Sequence, residues 1–487
     1  MKFGFNNIKN LFDKIINGEE SLHSKEDVVI EEELHDEVEE DDIFTDVSDF
    51  DIEDLINGFR NSDYSSRNMG ILLRNLFIVS KPLYERFLNY VKSSLIVKNG
   101  VYVYTGRPLD FYKVNAISYM FTKCDKDKLN SGYYDSLLED VVNGQNSYDL
   151  EFNYYYEFLE SLKNNTNLER LEDYLVAFKG CYTSGSKDNT IDNMRKLIIL
   201  IVKNKLEIKA TRDSSYFVNS NPPSINLDTT FSSYGLFHEL GHAIDFLIIG
   251  YKNRKKPEQL FQSAREKIVH SEDSFVILTQ INKKIYEMKN QIFKSFYDDL
   301  RREYGLKTES ENCDKYIESI SLKVKELIKD DNVEKILDEY NISEDLSKNI
   351  CEHARNHFYD EKVLASMIFQ GILDNIQDIF FDSLPEQLLL DIITSIFGKY
   401  DINYGRGITI SLKAGHSKKY YDSFKESNLT EIFANINALR VHGRTDLLDM
   451  LKKMIGQDLF DYFMNEQNIN RLNEGYDQSI NTNMSMS

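Results

Sequence analysis

The sequence predicts an α+β chain that is mostly helical, with a small mixed sheet beside one helix rich in metal-ligating side chains. Three observations carry this. Apolar residues recur at helical spacing over most of 61–200 and again after Gly250, as in Ile317, Ile320, Val324, Leu327 and Ile328. Short β-branched and aromatic runs, separated by turn residues, cluster between 206 and 228 and return at 408–412. Between them lies Phe237-His238-Glu239-Leu240-Gly241-His242-Ala243-Ile244-Asp245, a His-Glu-x-x-His pattern inside an apolar stretch.

Taken in order, residues 1–25 begin with an amphipathic helix that sets Phe5, Ile8, Phe12 and Ile15 on one face and offers a docking surface. Residues 26–60 read as a disordered acidic linker. Within it, 26–54 hold 16 acidic residues and no Lys or Arg, most of the excess behind the net charge of −22. The remainder is only mildly acidic, and no basic footprint for nucleic acid is present. Residues 61–203 read as a helical domain interrupted by a hairpin, because Asn99-Gly100 separates two alternating apolar runs. The tyrosines at 154–156 fit core packing better than a binding surface.

Strand candidates follow at 206–210, 215–219 and 224–228. Pro222-Pro223 places the last of them at a sheet edge, where an extended peptide could pair. Thr229, Thr230, Ser232 and Ser233 supply caps for the next helix. Residues 251–399 read as a helical insertion. Its His353 and His357 share a helix face but lack a following glutamate, so they read as structural. The Gly405-Arg406-Gly407 turn is too short for a nucleotide loop. Residues 204–250 and 400–470 form the functional domain, and 471–487 a loose tail.

Four cysteines, Cys124, Cys181, Cys313 and Cys351, form no CxxC pair and read as free thiols. No apolar run is long enough to span a bilayer, and the N-terminus lacks a secretory h-region. The expectation is a cytoplasmic chain as synthesised.

The chemistry starts at the His-Glu-x-x-His segment. Residues four apart lie one above the other on a helix, so His238 and His242 can offer two imidazoles to one Zn²⁺. Glu239 then reaches a metal-bound water as general base. A third protein ligand is required. Glu431, opening the apolar helix Ile432-Phe433-x-x-Ile436, is the preferred candidate, and His416 is its rival. Tyr420, Tyr421 and His416 are the candidates to stabilise an oxyanion, with nothing in the sequence to choose among them. Asp245, one turn past His242, is placed to orient an imidazole.

His238-Glu239-Leu240-Gly241-His242-Ala243-Ile244-Asp245, followed by Glu431-Ile432-Phe433-Ala434, resembles the gluzincins, zinc metallopeptidases with a glutamate third ligand, and among them the anthrax lethal factor-like catalytic domains. The stretch from Gly415-His416-Ser417 through Tyr420 to Ala434 is also similar to metallopeptidase domains attached to phage minor head proteins. The resemblance implies a zincin-like catalytic domain with His238, His242 and Glu431 as zinc ligands, Glu239 as base and Tyr420 or Tyr421 as oxyanion donor. It implies a zinc metalloendopeptidase acting on a protein or peptide substrate. The second likeness implies instead a phage-associated, virion-borne structural or interaction protein that keeps the peptidase scaffold; export by a non-classical route is the alternative expectation for location.

Overall fold

A computed structural model describes residues 52–60, 62–109, 111–143, 148–165, 168–211, 214–228, 231–250, 257–329, 348–352, 360–405, 408–412, 414–416, 418–423 and 427–466. Most of these are helical, and the strands form three small sheets. The N-terminal amphipathic segment, residues 26–51 of the acidic stretch, the His353/His357 pair and the tail lie outside the described residues. Among the described residues, Asn290–Tyr316 forms one compact unit and the remainder a second. The first is two helix segments, 290–304 and 309–316, joined by a short turn. Gly305 takes φ +67°, and Asn312 closes the turn by bonding the backbone of Leu306 and Thr308.

The second unit opens with α1 (Ile52–Phe59), α2 (Tyr64–Val79) and α3 (Lys81–Val91). The first of these corrects the sequence reading, which extended the disordered linker through residue 60. Leu55 and Phe59 are fully or almost fully buried, and Phe59 rests where Gly70 leaves no side chain. Two well-buried apolar residues per two turns are enough to hold so short a helix. Asp63 caps α2 by accepting from the Ser66 N–H at 2.9 Å, and Ser80 caps α3. Strands β1 (Leu95–Lys98) and β2 (Val101–Tyr104) pair as the expected hairpin. Asn99 and Gly100 both take positive φ, as the tight two-residue turn requires.

Helices α4 (Phe111–Phe121), α5 (Lys126–Asn130), α6 (Asp135–Asn143), α7 (Tyr148–Asn165), α8 (Leu171–Ser184) and α9 (Lys187–Asn204) follow. Tyr154 and Tyr155 are buried in the packing of α7, so the tyrosine cluster contributes to the core. Next come β3 (Glu207–Thr211), β4 (Tyr216–Val218) and β5 (Ser224–Asp228). The sheet order is β3-β5-β4, with β3 parallel and β4 antiparallel to β5. The sheet is mixed, as expected, but the expected edge is wrong: Ser224–Asp228 is the central strand. Pro222 and Pro223 precede the strand rather than lie in it, so every N–H from 224 to 228 remains free to pair. Buried Ile225 and Leu227 fit that central place. The edge beside the functional helix is β4.

That helix is α10 (Ser233–Ile244), whose cap is Ser232, accepting from the Gly235 N–H at 3.1 Å. It runs into a π-helical turn, Asp245–Ile249, ended by Gly250. The chain continues through α11 (Glu258–His270), α12 (Glu272–Tyr304), α13 (Glu309–Lys329), α14 (Glu361–Ser383), α15 (Pro385–Phe397), the hairpin β6 (Asp401–Gly405) and β7 (Ile408–Ser411), α16 (Lys418–Ser423), α17 (Ser427–Val441), α18 (Thr445–Ile455) and α19 (Gln457–Glu466). Helix α17 is buried on nearly every face and packs on α9, α10, α15 and α18. Its buried amides are bonded: Asn437 donates to the Phe237 carbonyl of α10 at 3.0 Å and to Asn193 of α9 at 3.2 Å. A helix hidden on all sides needs such partners for each polar side chain. Among the described residues no helix is long and apolar enough to cross a membrane.

Candidate metal centre

Helices α10 and α17 build the site. Gly241 sits where they cross, and a Cβ on it would come within 2.8 Å of Ala434 Cα. The missing side chain therefore lets the backbones touch, and it brings Glu431 to the two histidines. Nε2 of His238 and Nε2 of His242 are 3.1 Å apart, with their rings nearly perpendicular at 88°. Glu431 Oε2 stands 3.5 Å from the first and 3.6 Å from the second. Three donors about 2.0–2.1 Å from one tetrahedral ion would be separated by roughly 3.3–3.4 Å. The observed triangle is close to that. Oε2 is also buried, without a hydrogen-bond partner, while facing two imidazole nitrogens. A buried carboxylate oxygen left so is what a cation would satisfy. The residues present thus fit a metal ion: half-buried His238 with buried His242 and Glu431 are a group that could hold one.

The tautomer of His238 is fixed from behind. Asn435 Nδ2 donates to Asp391 Oδ2 at 2.7 Å, which leaves Asn435 Oδ1 to accept from His238 Nδ1–H at 2.8 Å. The proton on Nδ1 puts the lone pair on Nε2, toward the site. By sequence, Asp245 is placed for the orienting role. That residue is fully buried at the start of the π turn, while Asn435 makes the bond to His238. Asn435 stands four residues after Glu431, one turn along the same face, and that spacing was a usable signal. Asp391, on α15, had none.

Asp391 also borders the loop before α16. Gly415 takes φ +77°, and a Cβ there would overlap the Asp391 carboxylate. Tyr421 Oη bonds Ser395 Oγ at 3.0 Å and lies 3.5 Å from Asp391. Tyr421 is therefore a buried tether of this loop, which removes it from the oxyanion candidates. Tyr420 and His416 reach the site. Tyr420 Oη donates to Glu431 Oε1 at 2.7 Å, His416 Nε2 lies 3.2 Å from the same oxygen, and the two rings stack at 3.8 Å. His416 faces Oε1, away from the oxygen that meets the two imidazoles.

Burial sets the electrostatics. It pushes the Glu239 carboxyl up to about 7 and the His238 imidazole down to about 4, the latter helped by His242. Burial would also raise Glu431, but the imidazoles of His242, His416 and His238 overrule it and hold the carboxyl well below the usual range. Asp391 is raised by burial and by Glu431. Glu239, only 6% exposed, accepts from the Phe217 backbone N–H of β4.

Glu239, His238, His242 and Glu431 open on a cleft of ≈ 630 Å³. Edge strand β4 walls one side, where Phe217 meets Phe246 at 5.6 Å between ring centres, and Tyr420 and Thr430 wall the other. Ser224–Asp228, expected to carry substrate, does not line it. No protein family, curated protein or solved structure matches the chain. The gluzincin likeness thus rests on the motif residues, while the geometry shows only a group of side chains that could hold a metal ion.

Proposed function

We propose that the chain is a zinc-dependent metalloendopeptidase of the gluzincin type. One observation carries the reading: a glutamate oxygen from α17 meets the His-Glu-x-x-His imidazoles of α10 at ligand spacing, beside a carboxylate that opens on a cleft. Two imidazoles and one carboxylate are a donor set of catalytic zinc sites, in which a coordination position stays open. Bound there, zinc supplies Lewis acidity that polarises a scissile carbonyl and makes water more acidic.

The chain's own residues do the rest. Glu239 takes a proton from the attacking water and passes it to the leaving amine nitrogen. Its raised pKa suits both halves of that transfer near neutral pH. His238, His242 and Glu431 hold the ion, and Asn435 keeps the His238 lone pair aimed at it. An extended substrate would lie along the edge of β4, with Phe217 and Phe246 offering apolar contact.

The test is Glu239→Gln. The variant should bind zinc one to one, as the wild type does, and lose hydrolysis of an unfolded protein such as casein. Equal cleavage by a purified, zinc-loaded variant sinks the mechanism.

A further inference from the structure

The two oxygens of Glu431 live in different surroundings. Oε2 faces the imidazoles of His238 and His242 without a hydrogen-bond partner. Oε1 accepts from Tyr420 Oη at 2.7 Å and meets His416 Nε2 at 3.2 Å. The carboxylate is thereby divided into a side for a cation and a side for donors. We propose that Tyr420 and His416 act on the metal centre as positioning residues that hold Glu431 to a single ligating oxygen. The inference rests on reading His238, His242 and Glu431 as metal ligands, and it deepens that reading. It gives Tyr420 and His416 a task other than binding the oxyanion of the substrate.

The physical argument concerns competition for Oε1. A carboxylate can meet a cation through one oxygen or through both. To use both, Glu431 would have to turn Oε1 toward the imidazoles and give up two donors. One of these is a phenol at full hydrogen-bond distance, 2.7 Å, on an ionised acceptor. The carboxylate is 2% exposed, so water cannot replace those donors. The donors are themselves held in place. Tyr420 and His416 stack on each other, and Tyr421, next in the chain, is tied to Ser395. Gly415, pressed against Asp391, fixes where this segment leaves the body. A Glu431 confined to one oxygen leaves the cation with three protein donors and room for one further ligand.

The experiment uses Co²⁺ as the probe on the full chain, because tetrahedral Co²⁺ absorbs visible light far more strongly than five- or six-coordinate Co²⁺. Wild type should bind one Co²⁺ and show the intense tetrahedral bands. Tyr420→Phe should still bind Co²⁺ but lose much of that intensity as Glu431 turns to offer both oxygens. His416→Gln should lose less, in keeping with its longer contact, and the double variant most. Circular dichroism and the melting temperature of each variant identify any that fail to fold. If Tyr420→Phe does not fold, His416→Gln alone decides, since His416 is the more exposed of the pair. Intense bands unchanged in every folded variant overturn the proposal, as does a wild-type spectrum that is already weak. Failure of wild type to bind Co²⁺, or equal binding by His238→Ala, overturns the metal reading itself.

Discussion

Gly241→Ala tests whether close approach of α10 and α17 builds the site. The new Cβ would lie 2.8 Å from Ala434 Cα and 3.3 Å from its Cβ and carbonyl oxygen. An ordinary contact needs about 3.5 Å or more, so the helices must separate by roughly 0.7 Å at the crossing. Glu431 stands one turn from Ala434 and moves with it. Its Oε2 distances of 3.5 and 3.6 Å, already slightly above the edge of about 3.3–3.4 Å for a tetrahedron built on ligand bonds of about 2.0–2.1 Å, would then grow further from it. For stability, overpacking costs about 1–3 kcal/mol, and replacing a helical glycine by alanine returns about 1 kcal/mol. The net loss is thus about 0–2 kcal/mol, which leaves the chain folded. Zinc affinity should fall about 10–100-fold, as when the support of a ligand is disturbed. Competition with a coloured chelator measures that affinity, and thermal unfolding of the metal-free protein measures the stability. A Gly241→Ala protein that folds normally and binds zinc as tightly as wild type would refute the reasoning.

Three further outcomes follow from the geometry. Asn435→Leu removes the acceptor that fixes the His238 tautomer and takes the donor from Asp391 Oδ2, so zinc affinity should drop about 10–100-fold in the same chelator assay. Ser232→Ala removes the cap of α10 and should cost about 1 kcal/mol in urea unfolding, while a surface serine exchanged elsewhere costs nothing measurable. His442 stacks on Tyr234, touches Cys181, and is held down to about 4 by burial and then by Arg444. Its ordinary value is 6.5, so below that pH the unfolded chain takes up a proton that the folded chain refuses. Stability should therefore fall as pH drops from about 6.5 to about 4, by up to about 3 kcal/mol, and His442→Phe should flatten that limb of the curve. An unchanged pH profile in His442→Phe would show that the ring is solvated.

What the sequence disclosed follows local rules. The pairing of His238 with His242 needs only the helical repeat, and the hairpin at Asn99-Gly100 needs only the turn chemistry. Ser232, one of four cap candidates, is the residue whose hydroxyl the helix uses. Glu431 was reachable because a two-histidine site demands a third ligand. What escaped depends on tertiary arrangement. Strand order in the three-stranded sheet is decided by the parallel pairing of β3 with β5, which no local pattern encodes, so the sequence around Pro222-Pro223 reads as an edge where the structure has the central strand. Tyr420 and Tyr421 are neighbours on α16, about 100° apart around its axis, so only one can face the site. Which one depends on where Ser395 and Asp391 stand. Asp391 itself sits on α15, an apolar helix that looks like any core helix, and it reaches His238 only through a second side chain.

The central claim is that one metal ion is held jointly by α10 and α17. The direct measurement is the metal content of the purified chain, after growth and dialysis with zinc, by elemental analysis. The account predicts one zinc per wild-type chain and none retained by folded His242→Ala or Glu431→Ala. A wild-type chain that holds no zinc, or a Glu431→Ala chain that keeps a full equivalent on dialysis, would contradict it.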